Sequence, residues 1–184
     1  MANRMNAPET LETARLLLRK PVGSDAEVIF RRYAADPEVT RYLSWPTHRA
    51  IEGTMGFLSW SDSEWRQWPA GPYLIFAKER PFETLLGATG LAFQSPTLAA
   101  TGYVLAQDAW GHGYATEALQ AMVEVARKTG VKRLEAVCHA DHRASAHVME
   151  KCGFLQQKSQ GELLAFPNIT PVRPAAILTY AVIL

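Results

Sequence analysis

Hydrophobic positions along the chain alternate between short β-type runs and helical spacing. Arg15-Leu16-Leu17-Leu18-Arg19 reads as a first strand stopped by Pro21. Ser24-Asp25-Ala26-Glu27 has the form of a capping box, which predicts a helix carrying Val28, Ile29 and Tyr33. Asp36-Pro37 interrupts it, and a short turn with Val39, Tyr42 and Leu43 follows. Thr47 is placed to cap a second helix whose buried face would use Ile51, Met55, Leu58 and Trp65, before Pro69-Ala70-Gly71-Pro72 ends it. Tyr73–Ala77, Leu85–Leu91 and Thr101–Leu105 then read as three strands. The turn at Arg80-Pro81 and the loop Ser95-Pro96-Thr97 make them antiparallel neighbours.

Leu119, Met122, Val123 and Ala126 lie on one helical face, and Thr129-Gly130 supplies a C-terminal stop. A strand at Leu134–Cys138 implies a parallel crossover from the strand at Thr101–Leu105. Ser145–Cys152 is a short helix with Gly153 at its end and Phe154 folding back. Leu163–Phe166 and Ile177–Val182 close the chain as a hairpin pair. The pattern defines a mixed α/β sheet, mostly antiparallel and flanked by helices. With 184 residues and no linker or repeat, a single domain over 1–184 is expected, with a flexible lead-in at residues 1–10.

Composition narrows the classes. Net charge is +1 with no Lys/Arg cluster, which gives no support to a nucleic-acid surface. The apolar run at Ala175–Leu184 is far short of the ~20 residues that span a bilayer, so no membrane role is expected. Two cysteines, Cys138 and Cys152, are too few for a disulfide scaffold. A cytoplasmic, reducing setting is expected. Cys138, His139, His142, His147 and Cys152 lack the paired spacing of a zinc site, so no metal is expected.

The stretch Trp110-Gly111-His112-Gly113-Tyr114-Ala115-Thr116-Glu117 sits between a strand and a helix. A glycine loop opening a helix aims several backbone N–H groups and the positive end of the helix dipole at one point, which suits a phosphate or pyrophosphate. A dinucleotide fingerprint would need a third Gly where Thr116 stands and a tight turn straight from the strand.

The run resembles the acetyl-coenzyme-A loop of GNAT N-acetyltransferases, Arg/Gln-x-x-Gly-x-Gly/Ala, with Trp110 at the first position, Gly113 at the first Gly and Ala115 at the last. Asp141-His142-Arg143-Ala144-Ser145, then Lys151-Cys152-Gly153-Phe154, is similar to the Asn-x-x-Ser helix ending in Lys-x-Gly-Phe of the branch that acetylates N-termini of ribosomal proteins. The resemblance implies a GNAT-like sheet splayed between the strands at 101–105 and 134–138. It implies acetyl-coenzyme A as cosubstrate, its pantetheine arm along Val104 and Leu105 and its pyrophosphate on the N–H groups of His112, Gly113, Tyr114, Ala115 and Thr116. Ser145 matches the family serine near the sulfur and is also a good N-cap. Glu162 falls near the branch's catalytic glutamate, where burial among leucines would raise its pKa for use as a base. His142 replaces the family Asn and would keep its contact or add pH sensitivity. Trp60, Trp65 and Trp68 are packing residues or an aromatic wall for the acceptor, with Asp62 and Glu64 attracting an amine.

The implied activity is direct acetyl transfer to a primary amine in a ternary complex, the acceptor being a protein N-terminal α-amine or a small-molecule amine. A catalytically silent coenzyme-A-binding sensor or scaffold is the alternative. The resemblance permits a monomer or a homodimer.

Overall fold

The computed structural model describes residues 5–79, 84–158, 161–172 and 174–184. The turn expected at Arg80-Pro81 lies outside the described residues. Nine strands build the sheet: β1 (Thr10–Glu12), β2 (Leu16–Arg19), β3 (Pro72–Ala77), β4 (Leu85–Ser95), β5 (Leu98–Leu105), β6 (Arg133–His139), β7 (Leu155–Gln156), β8 (Leu163–Ala165) and β9 (Pro174–Ile183). Their order is β1-β2-β3-β4-β5-β6-β9-β7, with β8 on β9. Every pairing is antiparallel except β5 with β6. This is the mixed α/β architecture expected from the pattern.

Five α-helices flank the sheet: α1 (Ala26–Ile29), α2 (Pro37–Thr40), α3 (Ile51–Gln67), α4 (Tyr114–Lys128) and α5 (Arg143–Lys151). The apolar stripe of α4 buries Leu119, Met122, Val123 and Ala126, as its spacing predicts, in one core with Leu16, Ile75, Leu134 and Phe154. The other sheet face carries a second core, in which Ile29, Tyr33 and Leu58 pack on Leu74 and Phe76. α4 and the α1/α3 side therefore pack on opposite faces of one sheet.

Several local expectations are corrected. The lead-in is anchored from Ala7, whose N–H donates to Pro69 O, and Thr10 already pairs with Arg19 in β1. Ser24 does not cap the first helix: α1 starts at Ala26, and the Asp25 carboxylate before it accepts from the Val22 N–H and from two Arg19 nitrogens. Asp36 caps α2 by accepting from the Glu38 and Val39 N–H groups, with Pro37 at the first helical position. Thr47 does not cap α3, which starts at Ile51; the Thr47 hydroxyl instead meets Thr40 Oγ1 at 2.6 Å. The inner face of α3 is Thr54, Leu58 and Ser61, and Met55 is 54% exposed.

Candidate active site

β5 and β6 pair only over Leu98↔Arg133, Ala99↔Leu134 and Ala100↔Glu135. Beyond Ala100 β5 continues along β4 to Leu105, while β6 continues along β9 to His139. The two strands therefore part in the middle of the sheet, as the resemblance implies. A cavity of about 350 Å³ fills the opening, lined by Thr101 to Val104 on one side and Ala136 to Cys138 on the other. The signal for this gap is the pair of helices that must pass on either side of it, which a linear pattern does not display.

Backbone direction divides the roles of Val104 and Leu105. Ala106 N donates to Leu86 O, and the Val104 carbonyl points at Gly87 of β4. Alternation along a strand then turns Tyr103 and Leu105 toward the gap. The Leu105 carbonyl on that edge accepts the Trp110 indole N–H at 2.8 Å. The Val104 amide therefore faces β4 and not the gap, which corrects its expected backbone role.

Ser145 lies in the first turn of α5, where His142 is the N-cap, so the capping role expected of Ser145 is not the one observed. Its carbonyl accepts from the Tyr103 hydroxyl at 3.1 Å, and its Oγ lies 3.0 Å from the same phenolic oxygen. Burial pushes the Tyr103 hydroxyl up, so the phenol stays protonated at neutral pH. Burial raises the Cys138 thiol, on the opposite side of the gap, to about 11. Tyr103 is a site residue that sequence reasoning missed, because a tyrosine in a strand reads as packing.

At the other end of β5 the glycine loop turns into α4. Gly111 and Gly113 have φ of 76° and 77°, left-handed values that favour glycine. Gly113 is the N-cap of α4, and Glu117 N donates to Gly113 O. The N–H groups of His112 through Thr116 precede that first bond and surround the helix start. A latch holds the loop. Glu117 accepts from Thr13 Oγ1 at 2.6 Å, from Arg15 N at 2.8 Å and from Arg15 Nε at 2.7 Å. Arg15 Nη1 donates onward to His112 O. Burial pulls the Glu117 pKa up, but the Thr13 and Arg15 hydrogen bonds and the Arg15 charge outweigh it and leave the carboxyl below its usual range. The latch carboxylate is neutralised by Arg15, which keeps its charge from opposing an anion at the helix start. A second cavity beside the loop is bordered by Arg15, Gly113, Thr116 and Lys151.

The far side of the first cavity is aromatic. Tyr42, Trp45, Phe57, Trp60 and Phe166 line it. The Tyr42 ring lies 4.7 Å from the His142 ring and 5.0 Å from that of His139. Burial, then the neighbouring His139, lowers the His142 pKa from 6.5, so His142 is neutral at pH 7. Asn168 fastens the segment that carries this wall: its Oδ1 accepts from Thr47 N, and its Nδ2 donates to Thr40 O and Trp45 O. Of the three expected tryptophans only Trp60 reaches the cavity. Trp65 donates to Pro72 O and packs edge-on to Tyr73, and Trp68 stacks on Phe93. Asp62 is paired with Arg66 and Lys20.

Glu162 is exposed, and so is its neighbour Leu163; the burial expected to raise its pKa is not present. Its Oε2 accepts from Thr179 Oγ1 at 2.9 Å, and it is not among the described residues lining the cavity. β8 pairs only at the end of β9, which leaves this face of the hairpin open to water. Among the described residues no three His, Cys, Asp or Glu side chains converge on one point, and no helix is long and apolar enough to cross a membrane.

With this geometry in hand, residues 15–155 match the family model of the acetyltransferase (GNAT) domain, and the chain belongs to that family. It is an N-acetyltransferase by class, an acyltransferase using acetyl-coenzyme A. It is 27% identical to the uncharacterized N-acetyltransferase p20 of Bacillus licheniformis, over 85% of this chain and 92% of that one. It is 29% identical to the uncharacterized N-acetyltransferase YoaA of Bacillus subtilis, over 88% and 90%. Its fold matches RimL, a ribosomal L7/L12 α-N-protein acetyltransferase solved with coenzyme A, with a TM-score of 0.79 and 23% identity over 96% of this chain and 98% of that one.

Proposed function

We propose that the chain moves an acetyl group from acetyl-coenzyme A to a primary amine by direct attack in a ternary complex. The observation that carries this reading is the parting of β5 from β6 beyond Ala100, with the glycine loop at one end of β5 and Ser145 across the gap. The pantetheine arm lies along the open edge of β5, and the pyrophosphate sits on the N–H groups between His112 and Thr116. The Leu105 N–H, facing the gap, polarises the thioester carbonyl. Trp110 and His112 frame the loop, and Gly113 and Ala115 keep the approach small enough for a phosphate.

The amine nitrogen bonds to the thioester carbon and the C–S bond breaks. The amine proton goes to His142, which is neutral and is the basic side chain on the described cavity wall. The Ser145 hydroxyl protonates the leaving thiolate and is reprotonated, through the Tyr103 hydroxyl it contacts, by water at the open cavity, while His142 releases its proton to that water. The family resemblance assigns the base to Glu162 instead. Its exposed position on Thr179, outside the described cavity lining, favours His142.

Calorimetric titration with acetyl-coenzyme A, with NAD as control, tests the donor site. Micromolar binding of acetyl-coenzyme A alone is expected. Binding of NAD, or of neither, overturns the reading.

A further inference from the structure

Resting on the acetyltransferase reading, we infer that the acceptor is a small arylalkyl amine: a primary amine carried on an aromatic or similarly bulky apolar body. Four observations carry the inference. The wall opposite the β5/β6 gap is made of Tyr42, Trp45, Phe57, Trp60 and Phe166, drawn from the α2–α3 segment, α3 and the turn after β8. No Asp, Glu, Lys or Arg stands among the described residues of that lining. Trp60 remains 46% exposed, with its ring centroid 6.0 Å from that of Phe57, which packs against the second core beneath it. The whole opening is about 350 Å³, the low end of small-molecule sites, and the donor arm must share it.

Each alternative acceptor demands something this wall lacks. A polyamine or aminoglycoside brings several ammonium groups, which need carboxylates where they dock. Neither Asp62, ion-paired with Arg66 and Lys20, nor Glu64 nor Glu162 stands in the cavity lining. An acidic polypeptide N-terminus needs cationic side chains, and Arg41 lies against Tyr42 on the exposed side. An aromatic body meets aromatic faces and loses only apolar hydration on entry. As a cation, the approaching ammonium is attracted to the same ring faces before it loses its proton to solvent and attacks as the free amine. Asn168 fixes Thr47 and the Trp45 carbonyl, so the wall is held in place before the acceptor arrives.

The test is a thiol-release assay with the full chain and saturating acetyl-coenzyme A. The acceptors are phenethylamine, spermidine, kanamycin and a hexapeptide with an N-terminal serine and two glutamates. Phenethylamine is expected to give a kcat/KM at least about tenfold above the others. In Trp60→Ala its KM is expected to rise about tenfold while the acetyl-coenzyme A Kd stays unchanged; Trp60→Phe restores most of the loss. Trp60 is half exposed, so folding does not limit the variant, and the unchanged donor Kd verifies it. Preference for spermidine, kanamycin or the peptide overturns the inference, as does a Trp60→Ala variant with unchanged phenethylamine KM. Binding of acetyl-coenzyme A with no release from phenethylamine overturns the acceptor class alone. Failure to bind acetyl-coenzyme A overturns the acetyltransferase reading together with it.

Discussion

In the proposed reading, the donor and acceptor halves of the site are built on opposite principles. The donor half comes from one continuous stretch, from Tyr103 through Glu117, and offers mainly backbone: an open strand edge, two left-handed glycines and a helix start. The acceptor half offers side chains, and they come from separate places: Tyr42 and Trp45, Phe57 and Trp60, His142, Phe166. A backbone site tolerates varied side chains as long as two positions stay small and turn left-handed. A side-chain site takes its chemistry from whichever residues the fold delivers. One scaffold can therefore keep its donor while its acceptor changes.

The sharpest way to break this contrast is to alter one side chain on the acceptor wall. His142→Gln is expected to lower kcat by about 100-fold, the usual worth of a general base, with acetyl-coenzyme A binding unchanged by calorimetry. Because the His142 pKa lies below 6.5, the wild-type rate should hold down to that value and fall on further acidification, as the base becomes protonated. The variant should lack that acid limb. Glu162→Gln should change kcat/KM by less than about twofold, and a loss comparable to that of His142→Gln would return the base to Glu162.

The donor half is challenged at its backbone. Gly113→Val forces a β-branched residue to φ near 77°, at a cost of about 2 kcal/mol, so the acetyl-coenzyme A Kd should rise about 30-fold by calorimetry. Normal binding would refute a backbone-read donor site. A smaller effect separates positioning from contact. Asn168→Ala removes four hydrogen bonds from the wall segment and should raise the acceptor KM about fivefold, at about 1–2 kcal/mol of stability in denaturant titration, with the donor Kd unmoved.

The smallest expected effect concerns the latch. Glu117→Gln should lower stability by about 1 kcal/mol at neutral pH. Since the folded carboxyl has a depressed pKa, its contribution is present above the unfolded value near 4.5 and disappears as pH falls through the folded value. Wild-type and variant melting temperatures should therefore converge in acid.

The contrast between the halves also explains which parts were readable from the chain. Spacing alone located α4, since Leu119, Met122, Val123 and Ala126 form its buried face, and the Gly153-Phe154 stop of α5, where Phe154 N donates to Met149 O. The glycine loop was readable because left-handed turns need glycine whatever surrounds them. Thr47 as a helix cap, Met55 as a core residue and Glu162 as a buried carboxylate were misread for a common reason. Each depends on a neighbour distant in sequence: Asn168 for Thr47, the sheet face for α3, the open end of β9 for Glu162.

Taken by itself, the sequence determined the elements, their order, the glycine turn that opens α4 and the family, because those follow from local periodicity and from backbone geometry within a dozen residues. Tertiary structure alone decided that Tyr103 meets Ser145 across the gap, that Val104 turns its amide to β4 and that Trp45 joins Trp60. It also set His142 neutral beneath Tyr42. Strand pairing fixes which edge of β5 is open, and burial fixes protonation; both are sums over residues far apart in the chain.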